Sequence, residues 1–235
     1  MYVIETESIG VAHERIIQLI LREGEEIKTK HGLTLELPEP VTVHLSNPFV
    51  EPRVSSCSSF TAHMAEYYKT QLLTVLPKQN NIKDFDYNCG NRWFDYPTEI
   101  ETSHGITTIG DGDGYGLNQI NKMVCDELSS DKSSRRAIVI SISPMIDITK
   151  THIPCITLLQ FLIRNNRINM IVYIRSNDML SAWGADAYAL SGVLNYVGNK
   201  LKIPLGYLET ISASAHIYQL RDHMELLRFR KKLNL

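Results

Sequence analysis

The sequence lacks a surplus of basic residues and any long apolar run. Its 24 lysines and arginines are balanced by 26 aspartates and glutamates, which gives a net charge of −2 and a pI near 6.4. This balance argues against sequence-independent binding of nucleic acid, so we expect no nucleic acid partner. No apolar stretch approaches the roughly 18 to 20 residues that span a bilayer, and we therefore expect no membrane partner.

Cysteine is also sparse. The four cysteines, Cys57, Cys89, Cys125 and Cys155, show no CxxC spacing, and the amino-terminal region lacks the apolar core of a signal peptide. These absences favour a reducing, cytoplasmic location. We expect no metal.

The length of 235 residues suits one domain, which we assign to residues 1–235. Residues 77–114 lack periodicity over much of their length and are predicted to form a long functional loop. The remaining elements predict an α+β fold with a mixed or antiparallel sheet. Helices are predicted at residues 8–23, 58–76, 117–128, 186–201 and 221–232. An interrupted strand pair is predicted at residues 33–45, single strands at residues 137–143, 157–164 and 168–174, and a final strand region at residues 207–218.

Cys155 follows Pro154 just before one of these strands. A thiolate can add to C6 of a pyrimidine and convert C5 into a nucleophile that attacks a one-carbon electrophile. A nearby cation favours the reactive thiolate, and Arg175 is the candidate for it. A lone cysteine in an apolar strand is more often an inert core residue, so this assignment depends on the residues around it.

Two further pairs suit a nucleotide. Arg175 and Ser176 lie at a predicted strand end, where a guanidinium and a hydroxyl suit a phosphate. His216 and Tyr218 are two residues apart on a predicted strand and hence on one face, where both can bond a sugar 3′-hydroxyl. Together with Cys155, these residues predict a nucleotide site.

The order of these motifs resembles the thymidylate synthase family, which includes the pyrimidine hydroxymethylases. The resemblance covers residues 110–220 well and the first hundred residues loosely. It implies a three-layer α+β fold with a mixed, largely antiparallel sheet, and a homodimer in which each site borrows arginines from the partner chain. The matching motifs are Pro154-Cys155, Gln160-Phe161, Arg175-Ser176-Asn177-Asp178, Asp186, His216-x-Tyr218, Tyr115-Gly116 and Ser134-Arg135-Arg136.

The resemblance also implies roles for single residues. Arg135 and Arg136 stand at the family's cross-dimer phosphate position, and Lys28 is a candidate for a further phosphate contact. Tyr115 matches a tyrosine that assists removal of the C5 proton, although it can also be a buried structural tyrosine. Glu66 is the candidate for the glutamate that organises water and proton transfer, and Met64 competes with it for the aligned position.

The implied cosubstrate is 5,10-methylene-tetrahydrofolate or a related reduced pterin. Asp178 is the candidate contact to the pterin. Trp93 and Trp183 can line that side of the site, although either can also be an ordinary core residue.

Asp186 stands where thymidylate synthases that bind uracil usually carry asparagine. An amide can donate to O4 and accept from N3–H, whereas cytosine presents an acceptor at N3 and a donor at its amino group. A protonated aspartic acid satisfies this reversed pattern, and an aspartate can pair with a ring protonated at N3. Asp186 therefore favours cytosine, as in the cytidylate hydroxymethylases. The alternative is a helix N-cap before residues 187–190.

Our leading hypothesis is a hydroxymethylase that acts on a cytidine monophosphate, with dCMP favoured over CMP. Ile156 and Ile174 stand where ordinary synthases often carry His and Gln, which supports this view. In contrast, the segments 115–120 and 214–218 resemble shorter archaeal synthases, so a thymidylate synthase that converts dUMP to dTMP is the first alternative. A non-catalytic nucleotide-binding or RNA-binding relative is the second.

Overall fold

The computed structural model describes residues 1–74, 89–96, 99–102, 105–108, 116–148 and 150–235. A π-helical segment, Ile120–Asp126, runs directly into helix α4. The α-helices are α1 (Ile9–Glu23), α2 (Ala62–Leu73), α3 (Cys89–Phe94), α4 (Glu127–Ser130), α5 (Pro144–Asp147), α6 (Trp183–Leu201) and α7 (His223–Leu233). The strands are β1 (Tyr2–Thr6), β2 (Glu25–Thr29), β3 (Gly32–Glu36), β4 (Val41–Leu45), β5 (Glu99–Thr102), β6 (Gly105–Thr108), β7 (Ile138–Ile140), β8 (Ile156–Arg164), β9 (Arg167–Ile174), β10 (Asn177–Asp178), β11 (Leu205–Ser212) and β12 (Ala215–Tyr218).

Six strands form the main sheet in the order β1-β4-β11-β9-β8-β7. The pairs β1–β4 and β11–β9 are parallel, and the other three pairs are antiparallel. A second sheet has the order β10-β12-β3-β2 and also contains both kinds of pair. The prediction of an α+β fold with a mixed sheet is therefore confirmed.

The core lies between the main sheet and helices α1 and α6, which pack on one of its faces. Helix α1 begins after Ser8, whose hydroxyl accepts a hydrogen bond from the backbone of Val11, and it buries an isoleucine-rich face. Strand β11 alternates strictly, so that Leu208 and Thr210 are buried against the helices while Tyr207 and Glu209 face the other way. In the described structure no helix packs on that second face.

The prediction of one long loop over residues 77–114 is wrong in part, because α3, β5 and β6 lie within it. These elements have four to six residues, which is too few for a periodic pattern to show in the sequence. Residues 75–88 lie outside the described part of the chain.

The predicted strand region at residues 207–218 contains two strands, which lie in different sheets. Strand β11 ends at Ser212 in the main sheet, and β12 begins at Ala215 in the second sheet. This change of sheet carries the chain from the core to the side of β10, where the candidate site lies. Within the described residues, no helix is both long enough and apolar enough to cross a bilayer.

Candidate active site

A cleft with a volume of about 1190 Å³ opens beside the carboxyl end of β9. Its walls include Cys155, Arg175, Ser176 and Tyr218. The structure thus brings together four residues that the sequence pattern selected from separate segments. Pockets for drug-sized ligands hold roughly 300 to 1,000 Å³, so this cleft has room for a nucleotide and a second ligand.

Arg175 holds the loop that carries Cys155. Its Nε donates to the carbonyl of Pro154 at 2.9 Å, its Nη2 donates to the carbonyl of Ile153 at 2.8 Å, and its backbone N–H donates to the carbonyl of Cys155 at 3.0 Å. Strand β9 ends at Ile174, so strict alternation no longer applies, and Arg175 and Ser176 both line the cleft. A permanent positive charge therefore lies beside the half-buried thiol of Cys155.

Asp178 and His216 do not line the cleft themselves, but His216 lies on the same strand as Tyr218, which does. Asp178 and His216 are paired residues of the neighbouring parallel strands β10 and β12. The His216 ring lies edge-on to the ring of Tyr218, with 5.0 Å between centroids, and burial lowers the pKa of His216 and keeps it neutral. A neutral imidazole can accept or donate one hydrogen bond, as a sugar hydroxyl requires.

Arg221 covers this part of the site. Its guanidinium stacks over the ring of Tyr218 at 4.1 Å and donates to the Asp178 carboxylate. Because Arg221 also lines the cleft, Asp178 is at the cleft edge and ion-paired. A carboxylate there can accept hydrogen bonds from the ring N–H groups of a pterin, so Asp178 fits the implied cosubstrate.

Asp186 is buried in the first turn of α6, which begins at Trp183. The N-cap alternative is therefore wrong, because helical backbone already precedes Asp186 by three residues. The hydroxyl of Tyr68 on α2 donates to Asp186 Oδ1 at 2.6 Å. Burial raises the pKa of Asp186 to about 6, while the Tyr68 hydrogen bond opposes this rise and the charge of Asp178 adds to it.

The buried thiol of Cys89 interacts electrostatically with both Asp186 and Cys155. Burial raises the pKa of Cys89 to about 12, and the charges of Asp186 and Cys155 both act in the same direction. Cys89 is therefore near both side chains, and Asp186 itself is not among the residues that line the cleft.

The cleft is positively charged. Lys30, Lys150, Arg175 and Arg221 line it, together with two histidines. Its one lining carboxylate among the described residues, Asp147, is buried and neutralised by two hydrogen bonds from Arg92. Because Arg221 is itself paired with Asp178 and Asp222, the excess of positive charge comes from Lys30, Lys150 and Arg175, and it suits a phosphorylated ligand.

The hairpin between β2 and β3 supplies part of this charge from a position that we did not predict. Lys30 and His31 at its tip line the cleft, whereas Lys28 lies on β2, is exposed and is not among the lining residues. The tip is closed by Thr29, whose hydroxyl donates to the carbonyl of Gly32. Gly32 adopts a φ of 113°, which favours glycine. The structure therefore favours Lys30 over Lys28 as the hairpin cation.

Glu66 does not reach the cleft. It is exposed on α2, forms an ion pair with Lys69 and accepts a hydrogen bond from Tyr188 at 3.0 Å. Two residues along a helix rotate the side-chain direction by about 200°, so Glu66 and Tyr68 point to opposite sides. Tyr68 is the α2 side chain that contacts Asp186. Met64, the competing candidate, is exposed.

Both tryptophans are fully buried. The indole N–H of Trp93 donates to Ser141 at 2.8 Å, and that of Trp183 donates to Thr210 at 3.1 Å. Both side chains are satisfied inside the core, so the structure favours the core interpretation over a folate contact. Tyr115 lies outside the described residues.

Arg135 and Arg136 are exposed and do not line the cleft of their own chain. They lie between α4 and β7, where Gln160 donates to the carbonyl of Arg135 and Arg136 approaches Glu127. Their exposed position fits a solvated surface as well as a contact with another chain.

Four residues of this region were not predicted from the sequence: Tyr68, Lys30, His31 and Arg221. Lys30 and His31 could have been found from the Thr29–Gly32 turn, because a hairpin tip projects its side chains beyond the sheet. No sequence motif marks Tyr68 or Arg221. Their roles depend on tertiary packing, which places Tyr68 against Asp186 and Arg221 against Tyr218.

Comparison with known proteins agrees with this geometry. The family model described as "Thymidylate synthase" matches residues 13–233. The chain belongs to the thymidylate synthase family. Members of this family transfer a one-carbon unit to a pyrimidine nucleotide with methylene-tetrahydrofolate as cosubstrate. The described residues contain no group of three or more His, Cys, Asp or Glu side chains placed to hold a metal ion.

The relatives include synthases and a hydroxymethylase. The chain is 28% identical over 221 residues to a "Putative thymidylate synthase" of Methanosarcina mazei, covering 94% of this chain and 90% of the relative. It is 29% identical over 227 residues to a protein of the same name from Methanocaldococcus jannaschii, with 94% and 93% coverage. It is 22% identical over 214 residues to a "Deoxyuridylate hydroxymethyltransferase" of Bacillus phage SP01, with 86% and 55% coverage.

Proposed function

We propose that this protein is a pyrimidine nucleotide 5-hydroxymethylase that acts on a cytidine monophosphate, with dCMP favoured over CMP. The observation that carries the proposal is the buried carboxyl of Asp186, whose pKa is raised to about 6. Near neutral pH such a group can hold or share a proton. It can therefore donate to N3 of cytosine and accept from the 4-amino group, or pair with a ring protonated at N3.

Different residues of the site contact different parts of the nucleotide in this proposal. Arg175 and Ser176 bind the phosphate, with Lys30 as the hairpin cation, and His216 and Tyr218 bond the sugar hydroxyl. The Cys155 thiolate adds to C6, which forms a carbon–sulfur bond and moves an electron pair to C5.

The one-carbon step completes the reaction. Methylene-tetrahydrofolate, held partly by Asp178, supplies the carbon that becomes bonded to C5. The C5 proton then leaves to a base, assisted by Tyr115 as the family resemblance implies. The bond between the transferred carbon and the pterin nitrogen breaks, so that tetrahydrofolate departs and a methylene group remains on C5. Water adds to the new carbon, the Cys155 sulfur leaves C6, and the product carries a hydroxymethyl group.

The second candidate is a thymidylate synthase that accepts dUMP. The archaeal relatives with that name support it, because they align along nearly the whole chain. The phage relative is named for deoxyuridylate, so hydroxymethyl transfer to uracil also has a precedent among similar proteins.

We further propose a homodimer formed through the uncovered face of the main sheet. This face presents Val3, Ile140 and Tyr173, which are 53%, 47% and 42% exposed. An apolar sheet face without a helix over it is expected to be covered. A partner seated there brings two exposed arginines, Arg135 and Arg136, within reach of another chain's site.

The deciding experiment is product analysis. The protein is incubated with methylene-tetrahydrofolate and, separately, with dCMP, CMP or dUMP, and the nucleotide product is identified by mass spectrometry. A cytosine nucleotide heavier by one CH₂O group is the expected result. A dUMP product heavier by one CH₂ group would show a synthase. The absence of product from all three nucleotides would favour the non-catalytic relative.

A further inference from the structure

The hydroxyl of Tyr68 is the one described side-chain partner of Asp186, the group that we propose recognises the base. The O···O distance of 2.6 Å is that of a short, well-formed hydrogen bond between two oxygen atoms. Both residues lie in the contact between α2 and α6. Nothing in the family resemblance points to Tyr68.

The geometry points to Tyr68 as a positioning residue that sets which oxygen of Asp186 donates and which accepts, and thereby decides whether cytosine or uracil is bound. This inference rests on the proposed function, because it concerns the same base-recognition site.

The reason lies in the chemistry of a carboxylic acid. A neutral carboxyl has one donor and one acceptor, and the proton can sit on either oxygen. With the proton on one oxygen it matches the edge of cytosine, and with the proton on the other it matches the edge of uracil. A buried aspartic acid without a fixed proton position therefore discriminates poorly between the two bases.

Tyr68 removes this ambiguity. Its phenol donates to Oδ1, so Oδ1 acts as an acceptor and the acid proton is confined to Oδ2. Oδ1 retains a second lone pair, with which it can accept from a base. Asp186 then presents a donor and an acceptor in one fixed order, which only one of the two bases can match.

Neighbouring groups do not compete for this role. On the same helix, Tyr67 is 64% exposed, and Glu66 faces Tyr188. The described titratable groups that act on the pKa of Asp186 are Tyr68 from α2 and Asp178 from β10, while Asp186 in turn acts on the pKa of Cys89 from α3. Tyr68 is the one that bonds it directly.

The test is Tyr68→Phe, which removes the hydroxyl and keeps the ring. Binding of dCMP and dUMP to the full chain is measured by titration calorimetry. The preference is the ratio of the dissociation constants for dCMP and dUMP. We expect Tyr68→Phe to reduce this preference about tenfold, whichever nucleotide the unaltered protein binds more tightly. Tyr67→Phe is the matched control and should leave the ratio unchanged. In an Asp186→Asn background, where an amide fixes donor and acceptor by itself, Tyr68→Phe should no longer change the ratio.

A second readout needs no nucleotide. The Asp186 carboxyl is titrated by carbon NMR with and without the hydroxyl. Because the Tyr68 hydrogen bond lowers the pKa of Asp186, Tyr68→Phe should raise the titration midpoint. An unchanged titration midpoint of Asp186, or an unchanged ratio of the dCMP and dUMP dissociation constants, would overturn the inference. A tyrosine with a structural role alone would change only the midpoint of unfolding. A preference of the unaltered protein for dUMP would overturn the cytosine assignment while leaving the role of Tyr68 intact. Failure to bind either nucleotide would overturn both.

Discussion

At the residue scale, the two neighbouring thiols of the site should behave differently. Cys155 is half-buried in the cleft beside Arg175, whereas burial raises the pKa of Cys89 to about 12. Cys155→Ala should therefore abolish exchange of the C5 proton and keep nucleotide binding within about threefold, because only the thiolate adds to C6. Cys89→Ala should retain exchange. Both are measured by the loss of deuterium from a C5-labelled nucleotide. Exchange that survives in Cys155→Ala would exclude this cysteine as the nucleophile.

Asp186 should make stability depend on pH. Its pKa is raised from 3.8 to about 6 in the folded protein, so the folded state holds a proton that the unfolded state releases. Stability from this group is present at low pH and is lost as pH rises from about 4 to about 6, up to about 3 kcal/mol. The Asp186→Asn variant has no titrating group at this position. Relative to the unaltered protein, its free energy of unfolding should therefore be about 1 kcal/mol more favourable to the folded state at pH 8 than at pH 5.

Urea unfolding of both proteins at the two pH values measures this difference. Asp126→Asn, which changes an exposed carboxylate, serves as the control and should show less pH dependence. Equal stabilisation of Asp186→Asn at pH 5 and pH 8 would contradict the raised pKa.

Single residues also show what the sequence could and could not reveal. The placement of Cys155, Arg175, Ser176 and Tyr218 in one cleft was predictable, because each belongs to a motif whose spacing follows a strand or a strand end. Which α2 side chain contacts Asp186, Glu66 or Tyr68, was not predictable. It depends on how α2 is rotated against α6, and a segment with weak amphipathicity does not define that rotation.

At the element scale, the β2–β3 hairpin should act through its tip. Lys30 lines the cleft, and Lys28 does not. Lys30→Ala should weaken nucleotide binding about tenfold, since it removes a charge-assisted contact to phosphate. Lys28→Ala is the matched control on the same hairpin and should change binding less than twofold. The nucleoside without phosphate should bind both variants equally well. If Lys28→Ala weakened nucleotide binding more than Lys30→Ala does, Lys28 would be the phosphate contact, as predicted from the sequence.

Elements also set the limit of sequence-based prediction for the fold. Helices α1 and α6 and the main-sheet strands β8, β9 and β11 each have eight or more residues, which is long enough for a periodic pattern, and they lie close to where the pattern predicted them. The short elements α3, β5 and β6 carry no such pattern. The division of residues 205–218 between two sheets depends on long-range pairing with β4, β9, β3 and β10, which local sequence does not encode.

At the scale of the whole molecule, the proposed dimer makes each site depend on two chains. Cys155 and Arg175 line the cleft, whereas Arg135 and Arg136 are exposed and do not line it. If the arginines act in the partner's site, mixing inactive Cys155→Ala with inactive Arg135→Ala/Arg136→Ala should restore activity. Random pairing gives half heterodimers, and each holds one complete site, so about a quarter of the original activity should return.

The matched control is a mixture of Cys155→Ala with Arg175→Ala. Both of these residues belong to the same cleft, so every site in that heterodimer lacks one of them and activity should stay low. Activity is measured after joint refolding, and dimer formation is measured by sedimentation. Replacing Tyr173 with Asp on the uncovered sheet face should prevent dimer formation and remove activity together. Restoration in the control mixture, or full activity of a strictly monomeric Tyr173→Asp protein, would show that each chain carries a complete site.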